Sequence, residues 1–311
     1  MRIDVHHHFL TRGYLAARER HGIRTGPGFE SALAWTPEGS LARMDEAGVD
    51  VAILSHTSNW TPYDAHEAGD LTREANDFAA GLVKAHPTRF GFFAALPMPD
   101  VAASLAEIAR AFDVLGADGV STTTNYGTSW PGDARFDPVF AELDRRAAVV
   151  LVHPQAPAVA LGLVPPVPDA TVEFMFDVVR CITAMLFRGT FTRFPRIRFI
   201  FTHGAGGLPA LADRIDRNAR LQPAVAERLP EGAIAALRRL HVDITTSTSA
   251  PSVAALRAFL PGSQLLFGSD FPFVAPAVTA SGLAASAFTE AERTAIDSVN
   301  ALRLFPRLAR S

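Results

Sequence analysis

A strand-like run followed by a helix-like run recurs eight times along this 311-residue chain, and that repetition restricts its fold more than any other feature. The strand candidates cover residues 2–9, 49–56, 90–96, 117–123, 148–153, 197–203, 240–245 and 264–270. Helical patterns occupy 37–47, 64–85, 101–115, 138–146, 172–191, 208–239, 251–260 and 289–304. Several strands, such as Ala148-Val149-Val150-Leu151-Val152, are nearly unbroken apolar runs, as expected for parallel strands covered on both faces. Eight alternating units in one chain of this length predict a closed (β/α)8 TIM barrel rather than an open doubly wound sheet. No Gly-rich dinucleotide fingerprint follows the first strand, which weighs against the open sheet. The reading is one domain over residues 1–311. Residues 11–36, rich in Gly and Arg without a clear period, are expected to form a long loop, either a lid or a tolerated insertion.

A formal net charge of −3 leaves no basic excess to follow a phosphate backbone, so the expected ligand is a small molecule and not nucleic acid. The single cysteine, Cys181, sits in a helical run and is expected to be a buried thiol. It has no intrachain partner, which fits a reducing cytoplasm. The first strand begins within three residues, which predicts no leader, and no apolar run is long enough to span a bilayer.

Reactive groups in such barrels gather where the strands end. Here those ends carry His6 and His8, His153, His203 and Asp270. His6 and His8 lie two apart in a strand and therefore face one side, whereas His7 faces the other. Each residue alone has a bland explanation: His153 before Pro154 as a strand terminator, His203 as a donor to a carbonyl, Asp270 as a turn cap. Five such residues at equivalent positions point instead to a metal site. Imidazoles and a carboxylate suit zinc, and manganese, iron and cobalt accept the same donors.

The set Ile3-Asp4-Val5-His6-His7-His8, Leu151-Val152-His153-Pro154, Thr202-His203-Gly204-Ala205-Gly206-Gly207, Arg214-Ile215-Asp216 and Gly268-Ser269-Asp270-Phe271-Pro272-Phe273 runs the length of the chain. It resembles the amidohydrolase superfamily, and within it the amidohydrolase-2 branch that contains aminocarboxymuconate-semialdehyde decarboxylase. The resemblance implies that His6, His8, His153 and Asp270 hold one divalent ion and that His203 is the acid/base. It also implies a homodimer in which Arg214 reaches a carboxylate in the neighbouring subunit's site, a task suited to a bidentate guanidinium. Arg24 is a looser candidate for a second clamp. The binuclear relatives' bridging lysine has no counterpart, because strand four ends in Ser121-Thr122-Thr123 and the chain's only lysine is Lys84. Muconate-semialdehyde enzymes carry a tryptophan after the His-Pro, where this chain has Gln155, which counts against that substrate.

Asn125, Tyr126, Trp130 and Phe273 are the remaining candidates for a pocket that stacks a flat substrate, and Asp177 with Arg180 is expected to form a structural ion pair. The expected activity is non-oxidative, metal-dependent decarboxylation of a small aromatic or unsaturated carboxylic acid of the hydroxybenzoate or methylsalicylate type, with His203 or Asp270 supplying the proton. The alternative is hydrolysis of a lactone or amide by the same site, and a third reading is a binding protein with a vestigial site.

Overall fold

The computed structural model describes residues 1–23, 29–56, 60–163 and 166–310. Among them eight parallel strands follow one another in chain order: β1 (Ile3–Phe9), β2 (Val51–His56), β3 (Phe90–Ala95), β4 (Gly119–Thr123), β5 (Val149–His153), β6 (Arg198–Phe201), β7 (His241–Asp243) and β8 (Leu265–Leu266). The ring closes between its ends, where Val5 N donates to Phe267 O at 3.0 Å and Asp270 N donates to His6 O at 2.7 Å. The (β/α)8 barrel expected from the repeat is the observed fold. β7 and β8 are shorter than their apolar runs, although single backbone hydrogen bonds continue past them, from Ile244 N to Leu266 O and from His8 N to Phe271 O.

Side-chain alternation sorts the strands into two packing layers. Val51, Ile53, Phe93, Val149, Leu151, Ile200 and Leu266 fill the barrel with Ile3 and Val5, and Ala301, Phe305 and Leu308 from the C-terminal segment join them. The intervening residues, among them Ala52, Leu54, Phe92, Val150, Val152, Phe199 and Phe201, pack outward against the helices. This is the period-2 division of a strand buried on both faces.

The helices are bounded as their end residues dictate. The Pro37–Ala47 helix starts at Thr36, whose hydroxyl accepts from Gly39 N, and stops at Gly48 with φ +63°. One expectation fails. The segment after β1 contains a helix, Arg12–Arg20, capped by Thr11, and a short turn of helix, Glu30–Leu33. The first of these buries only Tyr14 and Ala17, a face too narrow to show a period in the sequence. Arg24 lies outside the described residues.

Candidate metal and substrate site

β1 does not alternate cleanly. Its register against β2 shifts between Asp4 and His7, a bulge that inserts one residue and changes which face the following side chains take. Ile3 and Val5 therefore point into the barrel core and His6 and His8 also point inward one layer higher, while Asp4 and His7 bind each other outside at 3.0 Å. Asp4 further accepts from Ser269 N and Oγ, at 3.0 and 2.6 Å, which ties β1 to the residue preceding Asp270.

The five strand-end residues converge. Asp270 Oδ1 lies 3.2 Å from His6 Nε2, 3.1 Å from His8 Nε2 and 3.8 Å from His153 Nε2, whereas His203 Nε2 approaches the other oxygen, Oδ2, at 3.8 Å. His6 and His8 Nε2 are 2.9 Å apart. Donor atoms of His6, His153, His203 and Asp270 all fall within 4.8 Å of one another. His203 and Asp270 have left-handed backbones, φ +54° and +68°, an unfavourable conformation for residues with a Cβ and one that collects at functional sites.

A cation fits this cluster. Nε2 of His153 and His203 and Oδ1 of Asp270 are buried without a hydrogen-bond partner, a costly condition that an ion among them would relieve. The electrostatics agree. Burial alone would lower the pKa of His6, but Asp243 and Asp270 overcome it and raise the value to about 10. Burial lowers His8 to about 3 and His203 to about 4, partly opposed by Asp270. Asp270 itself resists burial and lies well below the ordinary carboxylate value because His6 and the other imidazoles surround it. A proton on His6 thus occupies charge space that a divalent ion can take.

Asp243, at the end of β7, is the residue that reading the sequence missed. Its Oδ2 lies 2.9 Å from His6 Nδ1 and its Oδ1 accepts from the backbone N–H groups of His203 and Thr245. The carboxylate fixes the ring of one candidate ligand and the backbone of the candidate acid/base together. A Cβ at Gly268 would lie 2.8 Å from His6 Cβ and 2.9 Å from Asp243 Cβ, so this approach needs glycine. The available signal was an acidic residue in the apolar run Val242-Asp243-Ile244.

Above the cluster opens a cavity of about 1160 Å³. Phe273 lines it with its ring 5.9 Å from that of His8. Tyr126 also lines it, although its hydroxyl accepts from Thr123 N and burial raises its pKa. Asn125 sits at the cavity wall with its amide donating to Asp177 and to Gln155 O. Trp130 does not line the cavity: its indole N–H donates to Asp177. Asp177 also accepts from Thr124 and pairs with Arg180 at 2.6 Å, so the expected ion pair is the centre of a structural latch on the loop after β4. Arg214 is exposed on the Leu208–Arg220 helix, outside this cavity, and makes no ion pair with Asp213 or Asp216. Tyr14, Arg18, His56 and Trp60 line the opposite wall and carried no signal beyond being aromatic or basic.

Fold and cluster together define a (β/α)8 barrel with a site for a single divalent ion at the ends of its strands. The chain belongs to the amidohydrolase family, whose profile matches residues 3–307. It is 35% identical to decarboxylase yanB of Aspergillus niger over 98% of this chain and 88% of that protein. It is 33% identical to 6-methylsalicylic acid decarboxylase of Penicillium expansum over 99% and 97%. A crystal structure of dihydroxybenzoic acid decarboxylase from Polaromonas sp. JS666, with bound manganese and the inhibitor 2-nitroresorcinol, matches with a TM-score of 0.84 at 25% identity, covering 100% of this chain and 98% of that one.

Proposed function

We propose that this protein is a carboxy-lyase that removes carbon dioxide, without oxidation, from a hydroxybenzoate of the methylsalicylate type. The observation that carries the reading is the split at Asp270: His6, His8 and His153 contact Oδ1, whereas His203 contacts Oδ2. That arrangement supports His6, His8, His153 and Asp270 as the ligands and leaves His203 for proton transfer. The decarboxylase names of the relatives support the reaction class over hydrolysis.

When bound, the ion supplies a Lewis acid and a template for the carboxylate and an adjacent hydroxyl. Of zinc and manganese we assign zinc on the donor set, and the manganese of the Polaromonas enzyme makes that the alternative to test. The chain's residues do the rest. Phe273 presents an aromatic face beside His8. His203, held neutral by burial in the free site, gains a proton when an anionic substrate lies beside Nε2. It delivers that proton to the ring carbon bearing the carboxylate. A C–H bond forms, the C–C bond breaks, its electron pair restores the ring and carbon dioxide leaves.

The protein acts as a cytoplasmic, one-domain homodimer in this proposal, with Arg214 reaching the neighbouring cavity. Its exposure outside its own cavity supports that placement. No helix of the described residues is long and apolar enough to cross a membrane. Elemental analysis of untagged protein together with carbon dioxide release from a hydroxybenzoate panel tests the function. About one ion per chain with gas release is expected, whereas lactone opening without gas would move the site to hydrolysis.

A further inference from the structure

The cavity is larger than a single-ring acid needs, and its two walls differ in chemistry. At about 1160 Å³ it exceeds the ~300–1,000 Å³ of sites that enclose a drug-sized ligand. One wall carries Tyr14, Arg18, His56 and Trp60. The other, from the segment after β5 and the Asp169–Phe187 helix, carries Ala158, Leu161, Val167, Phe174 and Met175.

That second wall is mostly apolar, and its polar side chains among the described residues are Gln155, Asp169 and Thr171. Asp169 is its only charged residue among the described ones, and its Oδ1 accepts from Gly162 N at 3.0 Å. Ala160 N and Leu163 N donate to Pro157 O and Ala160 O within the same segment. Pro157, Pro166 and Pro168 have no N–H to donate. Yet Leu161 is 61% and Val167 39% exposed, apolar surface that water solvates poorly. The wall is continuous with the ion cluster, because the Phe174 ring stands 6.3 Å from that of His153. The helix part of the wall is tightly packed: a Cβ at Gly206, φ +59°, would lie 2.3 Å from Met175 O, so the loop after His203 packs directly on this helix.

Building on the decarboxylase reading, we infer that the preferred substrate is a hydroxybenzoic acid bearing an aliphatic chain longer than methyl, its ring at the ion cluster and its chain along Leu161, Val167, Phe174 and Met175. Such a chain would cover the exposed apolar surface of Leu161 and Val167 and lie against Phe174 and Met175. A polar or charged substituent of equal length would lose hydration against the Leu161, Val167, Phe174 and Met175 side chains.

The test is a series of 6-alkylsalicylates from methyl to pentyl, assayed for carbon dioxide release with the ion-loaded protein. kcat/KM is expected to rise about fourfold per added methylene, mainly through KM. Leu161→Asp, at an exposed position that the fold does not depend on, is expected to lower the pentyl-to-methyl ratio of kcat/KM by at least about tenfold. Gas from the methyl acid with kcat/KM flat or falling along the series would overturn the inference and leave the decarboxylase reading standing. An unchanged ratio in the Leu161 variant would overturn the placement of the chain. Gas from no member of the series would overturn the decarboxylase reading, and this inference with it.

Discussion

The two ends of the barrel are built from the same strands and obey opposite rules. At one end Ile3, Val5, Val51, Ile53 and Leu266 close on Ala301, Phe305 and Leu308, and the buried carboxylate of Asp118 beside them is paired with Arg307. At the other, one layer along β1, three buried histidines and two buried aspartates gather with the partly exposed His153, and two of the buried residues hold left-handed backbones. The first arrangement lowers the free energy of the fold, whereas the second raises it unless an ion is present. Stability and chemistry are therefore separable along a single strand, between Val5 and His6.

The largest effects should break that division cleanly. His6→Ala is expected to abolish ion binding and turnover, whereas His203→Ala keeps the ion and loses turnover; loss of the ion from the second variant, measured by elemental analysis, would make His203 a ligand. Phe305→Ala, at a side chain 2% exposed in the opposite end, should cost about 3–5 kcal/mol in denaturant unfolding and leave ion content at one per folded chain. Asp243→Asn removes the charged acceptor of His6 Nδ1 and should weaken ion binding about 10–100-fold, read by chelator competition. If affinity does not move, the ring of His6 is held by packing alone.

Acidity probes the same contrast in the ion-free protein. Burial holds His8, His56, His203 and His241 down, to about 3, 3, 4 and 4 respectively. The unfolded chain takes up these protons first, so the stability they contribute is present above pH 6.5 and lost as pH falls toward 3. His6 is raised, and its contribution is present below 6.5 and lost as pH rises toward 10. The melting temperature of the ion-free protein should therefore peak near pH 6.5, and ion loading, which displaces the His6 proton, should flatten the alkaline side. The smallest effect tests the proposed dimer: Arg214→Ala should raise KM for carboxylate substrates by about tenfold, the loss of one charge-assisted hydrogen bond, with ion content unchanged. Full activity in that variant would remove Arg214 from the site.

Much of this was legible because it is periodic or repeated. The eight apolar runs announced the barrel, and His153, His203 and Asp270 stood out by ending such runs. The Arg12–Arg20 helix was not legible, since two buried residues make no period. Trp130 was misplaced as a pocket residue because nothing local shows that Asp177, distant in sequence, accepts its N–H.

What the amino-acid sequence determined alone was the set of parts: strands buried on both faces, helix ends at Thr36 and Gly48, and imidazoles two apart on one side of β1. Those depend on neighbours within a few residues. Tertiary structure decided what those parts do together. The bulge in β1 aims His6 and His8 above the apolar layer, Asp243 reaches across from β7 to orient His6, and Asp270 divides its two oxygens between three imidazoles and one. Each of these depends on distances between residues far apart in the chain, which only the closure of the barrel brings to hydrogen-bonding range.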